Sequence, residues 1–289
     1  MKYTDTKLEE ILNKLVASTR SPRGRFSATA SYPELEKKLK SHTRRLTLIR
    51  TFSAAAAVAL LCLSVWTAYL YMQPVTIQTV STLAETRTVC LPDGSTVTLN
   101  HYSSLSYPEK FKSDKREVEL NGEAYFEVAR NTNCPFIVHT GIQNVRVLGT
   151  SFGITNYADD QNLTTTLVNG KVQVEFPGFS DEVFLLEPGF QLACDRQNRK
   201  IEKRTVDVYE YVAWKDGKYV FTRKRLEDIL TTLSRWYDFH VFFQNPEVKE
   251  VVFSGELRRF DSFSDILRLI EKTSDVKFTT TGNTVLVRE

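Results

Sequence analysis

Few residues in this 289-residue chain could do chemistry. The first candidates are Glu123 and Glu127, four positions apart in "VELNGEAYFEVA". Glycosidase-type acid pairs hold their carboxyl groups about 5 to 9.5 Å apart. A helix could bring positions i and i+4 that close, but a strand, rising about 3.3 Å per residue, would set their backbones roughly 13 Å apart. The stretch alternates with a period of two, placing Ala124, Phe126 and Val128 on one face and Glu123, Tyr125 and Glu127 on the other. The two glutamates are therefore expected to be solvated strand residues.

The remaining nucleophiles and ligands are scattered. The histidines are His42, His101, His139 and His240. No GxSxG, HExxH or phosphate-loop pattern accompanies them, and His139, following an apolar strand, is expected to be structural. The cysteines, Cys62, Cys90, Cys134 and Cys194, show no CxxC or Cys/His spacing. The last three allow at most one disulfide within the chain. These patterns point to no enzymatic activity, no cofactor and no metal.

The elements that carry these residues divide sharply. Residues 51–72, "TFSAAAAVALLCLSVWTAYLYM", contain no charged side chain. As a helix they would extend about 33 Å, enough for a hydrocarbon core of about 30 Å. The run lies too far into the chain, and is too long, for a signal peptide. Before it stand 12 Lys and Arg against 5 Asp and Glu, and after it 26 against 30, so a cationic tail of about +7 precedes a remainder of about −4. Lys37, Lys38, Lys40, Arg44, Arg45 and Arg50 crowd the near end of the run, and no Lys or Arg follows until Arg87. By the positive-inside rule the N-terminus is cytoplasmic, with Trp66, Tyr69 and Tyr71 as interfacial aromatics. Without interleaved aromatics the basic run is read as a topological signal, with no direct nucleic-acid contact.

Within the tail, Thr6 and Glu9 form a capping box, and Leu8, Ile11, Leu12, Leu15 and Val16 make an amphipathic stripe. A helix of about a dozen residues is marginal alone. The stripe therefore needs cover, either from another protein or from Leu35 and Leu39 of a second, basic helix opened by Ser31 and Glu34. Residues 18–31 read as a linker.

Beyond residue 73 the period becomes that of strands. "CLPDGSTVTLN" alternates after a Pro-Asp-Gly turn, and further short runs are punctuated by Gly, Pro, Asn and Asp. This predicts an all-β sandwich or roll over 83–205, after a linker at 73–82. From 206 to 289 a helix-strand unit occurs twice, 37 residues apart, with Asp228, Ile229 and Leu230 matched by Asp265, Ile266 and Leu267. It predicts a small α+β domain with both helices on one side of a small sheet, closed by a hairpin over Gly-Asn.

The ordered stretches "LPDGSTVTLN", "SYPEKF", "VELNGEAYFEVA", "PFIVHT", "VRVLGTSFGI" and "TTTLVNGKVQV" resemble the periplasmic domain of the FecR family of anti-sigma regulators. "AWKDGKYVF" and the duplicated units resemble the C-terminal domain of its Bacteroides-type members. The likeness runs from Leu83 to Glu289. It implies a single-pass inner-membrane protein that senses a TonB-dependent outer-membrane receptor and controls an extracytoplasmic-function sigma factor. On that reading residues 1–50 contact the sigma factor through Leu8, Ile11, Leu12 and Leu15. The C-terminal domain would meet the receptor by strand addition at Lys218, Tyr219, Val220 and Phe221 or at Val251, Val252 and Phe253, unless these are interior strands. Gly153 stands where the family often has Asn, a difference expected to fall in a loop. The alternative function is a membrane-tethered periplasmic glycan-binding module using Tyr102, Tyr107 and Tyr125 as a sugar platform.

Overall fold

The computed structural model describes residues 5–18, 37, 52–69, 75–178, 180–259 and 261–289. Two compact units are separated between Pro74 and Val75. In the first, α1 spans Asp5–Ser18 and α2 spans Phe52–Tyr69. The second capping box and the linker at 18–31 lie outside the described residues, as do Leu35 and Leu39. The α2 helix has a mean hydropathy of 1.7, and none of its residues is buried among the described residues. Two of its hydroxyls turn back onto the helix: Ser64 Oγ donates to the Leu61 carbonyl at 2.8 Å and Thr67 Oγ1 to that of Ser64 at 2.9 Å. Satisfied in this way, they cost little in an apolar surround.

The second unit opens with thirteen strands. The first seven are β1 (Ile77–Ser81), β2 (Arg87–Cys90), β3 (Thr96–Leu99), β4 (Ser104–Pro108), β5 (Arg116–Glu127), β6 (Phe136–His139) and β7 (Asn144–Val147). Then come β8 (Ser151–Asn156), β9 (Asn162–Asn169), β10 (Val172–Phe176), β11 (Ser180–Leu186), β12 (Phe190–Asp195) and β13 (Ile201–Thr205). They form one sheet that folds on itself at β5. The first half of β5 pairs with β4 and, in parallel, with β6; the second half pairs with β3 and β8. The strand turns at Gly122, whose φ is 90°. A Cβ there would lie 2.7 Å from Ser103 Cα, so only glycine fits. The loop at Ser103 can then approach closely, and the Glu123 amide donates to Ser103 Oγ at 2.8 Å.

Between the two halves lies the core. Phe126 and Phe152 stack at 4.9 Å, and Phe136 meets Phe126 edge-on at 6.3 Å, with Leu99, Leu105 and Leu120 fully buried around them. As the alternation requires, Val97 and Leu99 point inward while Thr96 and Thr98 face outward. The Pro-Asp-Gly turn does more than reverse the chain. Asp93 accepts from Ser95 and pairs with the buried Arg116 at 2.6 Å. Arg116 also donates to the carbonyls of Ala129 and Cys134, which distributes its charge over fixed acceptors.

The remainder of this unit comprises α3 (Val208–Val212), β14 (Lys218–Arg225), α4 (Leu226–Tyr237), β15 (His240–Phe243), β16 (Val252–Arg258), α5 (Phe263–Thr273), β17 (Lys277–Thr281) and β18 (Thr284–Arg288). The duplication is present, but the expected single small sheet is replaced by two. The repeat unit includes a leading strand as well as a trailing one. The leading strands, β14 and β16, pair antiparallel with each other. The trailing strands, β15 and β17, lie on either side of β18, parallel and antiparallel to it respectively. The final hairpin turns at Gly282 and Asn283, and the positive φ of 58° at Gly282 meets the demand of a two-residue turn.

Candidate partner-binding surfaces

On α1, Ile11, Leu12 and Leu15 are 50%, 48% and 59% exposed, while the side chain of Leu8 lies outside the described residues. Three leucine-type side chains with this much apolar area in water present a surface that gains free energy when covered.

At the other end of the chain, the strands expected to meet a receptor are sorted by their pairing. Tyr219 and Phe221 alternate inward and are buried in the C-terminal core, so their side chains cannot serve as contacts. Lys218 and Val220 point the other way, and Val252 is 53% exposed. Along β14, α3 and the turn at Ala213–Asp216 pack against the strand. No further strand pairs with β16 among the described residues, which leaves its outer edge open. Thr222 and Arg223 bulge out of the β14 ladder, and Arg223 takes a φ of 49°.

Between the folded sheet and α4 runs a cavity of about 870 Å³ whose lining includes Glu123, Tyr157, Asp160, Lys224 and Arg235. Arg235 is its main tie. Its guanidinium donates to Asp160 at 2.5 Å and to Asp159 at 2.9 Å, and it lies 3.9 Å from the ring centroid of Tyr157. Burial works against the charge, but the two carboxylates outweigh it and hold the arginine more firmly protonated. Beside it, Trp236 packs 5.6 Å from the buried His101. Burial, aided by the Arg259 guanidinium, lowers the pKa of His101 to about 4, so the ring is neutral. Tyr102 donates to Asp238 at 2.6 Å and Arg259 to Thr86 at 2.7 Å, adding two more links between the sheet and the C-terminal elements.

Several sequence expectations are corrected here. Glu127 is solvated, but Glu123 is half-buried in the cavity wall, where it accepts from Asn100 at 2.6 Å and Thr155 at 3.0 Å. Burial pushes its carboxyl pKa up against those hydrogen bonds. The aromatic sugar platform is not formed. Tyr107 faces the core, and Tyr125 is 6% exposed because the C-terminal elements cover it, with the Lys215 ammonium 5.4 Å from its ring centroid. Gly153 is not in a loop. It lies within β8 opposite Tyr125, where a Cβ would meet Val212 at 3.6 Å, an ordinary contact. His139 bonds Asn144 at 2.7 Å, and all four cysteines are free thiols.

The residues that join sheet and helix, Tyr157, Asp160, Arg235 and Trp236, are absent from the sequence-derived candidates. Sequence offered one cue, Arg235 opposite the apolar stripe that Trp236 continues, but no sign of its partner.

Among the described residues, then, a β-rich unit with an open strand edge follows one amphipathic helix and one apolar helix. Two family patterns give it a name. That of the FecR protein matches residues 78–173, and that of the FecR C-terminal region matches residues 218–287. The chain belongs to the FecR family of anti-sigma factors. It is similar to a candidate anti-sigma factor from Parabacteroides distasonis ATCC 8503, solved at 1.65 Å resolution, with 30% identity and a TM-score of 0.68 over 73% of this chain and 99% of that one. A second structure of a candidate anti-sigma factor from the same organism, solved at 2.50 Å, matches with the same identity and TM-score over 74% of this chain and 99% of that one. No curated protein matches.

Proposed function

We propose that the chain is a single-pass inner-membrane anti-sigma factor relaying a signal from a TonB-dependent outer-membrane receptor to an extracytoplasmic-function sigma factor. Residues 1–50 would be cytoplasmic, 51–72 the span, 73–82 a linker, 83–205 the periplasmic β domain and 206–289 the receptor-contacting domain. The observation that carries this reading is the uncharged α2 helix set between a cationic tail and a β-rich unit of the FecR family.

The Leu8, Ile11, Leu12 and Leu15 stripe would dock in an apolar groove of the sigma factor. At the other end, the open edge of β16 would accept a receptor strand, with Val252 at the contact and Lys218 and Val220 one strand behind it. An edge offers unpaired amides and carbonyls, and strand addition satisfies them.

The test is copurification of the full chain from native membranes, followed by identification of its companions. Recovery of a sigma factor that is lost on Leu12→Asp supports the reading. Absence of any sigma factor, together with unchanged transcription when residues 1–50 are deleted, overturns it.

A further inference from the structure

The duplication supplies an internal comparison. A shift of 37 residues carries α4 onto α5 and preserves the buried positions: Ile229 with Ile266, Leu230 with Leu267, and Leu233 with Ile270. The opposite faces differ. In the first copy the outer face is occupied, since Arg235 is held by Asp159 and Asp160. In the second copy the same position is Lys272, which is exposed, next to Leu269 at 52% exposure and Arg268. Among the described residues Lys272 has no carboxylate partner. Arg268 reaches only Asp265, at 3.5 Å on the same helix, an exposed pair of little worth.

We propose that this face of α5, centred on Leu269 and Lys272, docks an acidic segment of a partner protein, in the manner in which α4 takes the acidic loop at 157–160. The chain itself demonstrates the occupant's chemistry: adjacent carboxylates for the cation and an apolar or aromatic group beside them. The substitution of Lys for Arg removes the bidentate fork and leaves a mobile point charge, which suits a contact that must be released. This deepens the proposed function, resting on the view that the C-terminal domain engages the receptor.

The test places a photoreactive p-benzoylphenylalanine at Leu269 in the full chain, in native cells, with adducts located by mass spectrometry. The expected result is an adduct on a segment carrying adjacent Asp or Glu residues, reduced at least fivefold by Lys272→Glu and retained in Lys272→Arg. Adducts confined to lipid or to the chain itself, or an adduct indifferent to Lys272→Glu, overturn the inference. Receptor copurification is measured in parallel. Receptor recovered without a charge-dependent adduct sinks this inference alone. A charge-dependent adduct on another acidic protein, with no receptor recovered, upholds the docking surface and removes the receptor reading. Unchanged thermal melting of each variant excludes misfolding as the cause.

Discussion

Arg235 Nη2 lies 2.5 Å from Asp160 Oδ1, joining residues 75 positions apart and fastening α4 to the turn between β8 and β9. The arginine is 13% exposed and the aspartate 23%, so the pair sits mostly out of water.

Removing one partner of a buried pair strands the other charge and costs about 3 kcal/mol. Arg235→Ala should therefore lower the urea midpoint of the residue 75–289 unit. It should also speed proteolysis in the connection between β13 and β14. Equal proteolysis of variant and native chain would show that the tie does not hold α4 in place.

His101 should make the protein acid-sensitive. Its folded pKa of about 4 lies below the ordinary 6.5, so the unfolded state binds the proton more readily. The stability that follows is present above pH 6.5 and is lost as pH falls towards 4. It amounts to roughly 3 kcal/mol at most, since each pKa unit is worth about 1.4 kcal/mol. Denaturant titrations between pH 7.5 and 4 should show a smaller pH dependence in His101→Gln than in the native chain.

Two glycine substitutions set a strained, crowded position against an unstrained, roomy one. Gly122→Ala forces a Cβ into Ser103 at a positive φ and should cost more than about 2 kcal/mol. Gly255→Ala puts its Cβ 3.5 Å from the Phe221 ring, an ordinary contact, and should stay within about 1 kcal/mol. Thermal denaturation of the two variants reads the difference directly.

The duplicated helices should respond oppositely on their two faces. Leu230→Ala opens a cavity at a fully buried site and should cost about 2 to 5 kcal/mol. Leu269→Ala trims an exposed side chain and should change stability by less than about 0.5 kcal/mol. A large loss from Leu269→Ala would mean that α5 is covered within the chain, contrary to the docking proposal.

Much of the site's scaffold was legible in order. The alternation at 118–129 places Phe126 and Ala124 inward without any tertiary knowledge, and the 37-residue offset aligns Ile229 with Ile266 before either is seen buried. Glu123 and Tyr125 depart from the sequence expectation for one reason. Period two says only that they leave the core face of their own sheet, not that something else will cover the far side. Tyr219 and Phe221 show the same limit, because an apolar strand reads alike whether it forms an edge for a partner or a wall of a core.

Local chemistry therefore settled, from sequence alone, the apolar helix, the strand-rich unit, the duplication and the turns, since each depends on side-chain periodicity and backbone preference over a few residues. The tertiary structure decided which outward faces are truly outward. The Arg235–Asp160 tie, the covering of Tyr125, the open edge of β16 and the bare face of α5 all arise where segments tens of residues apart meet. No short-range pattern encodes such a meeting, because the free energy belongs to the pair of surfaces and to neither one alone.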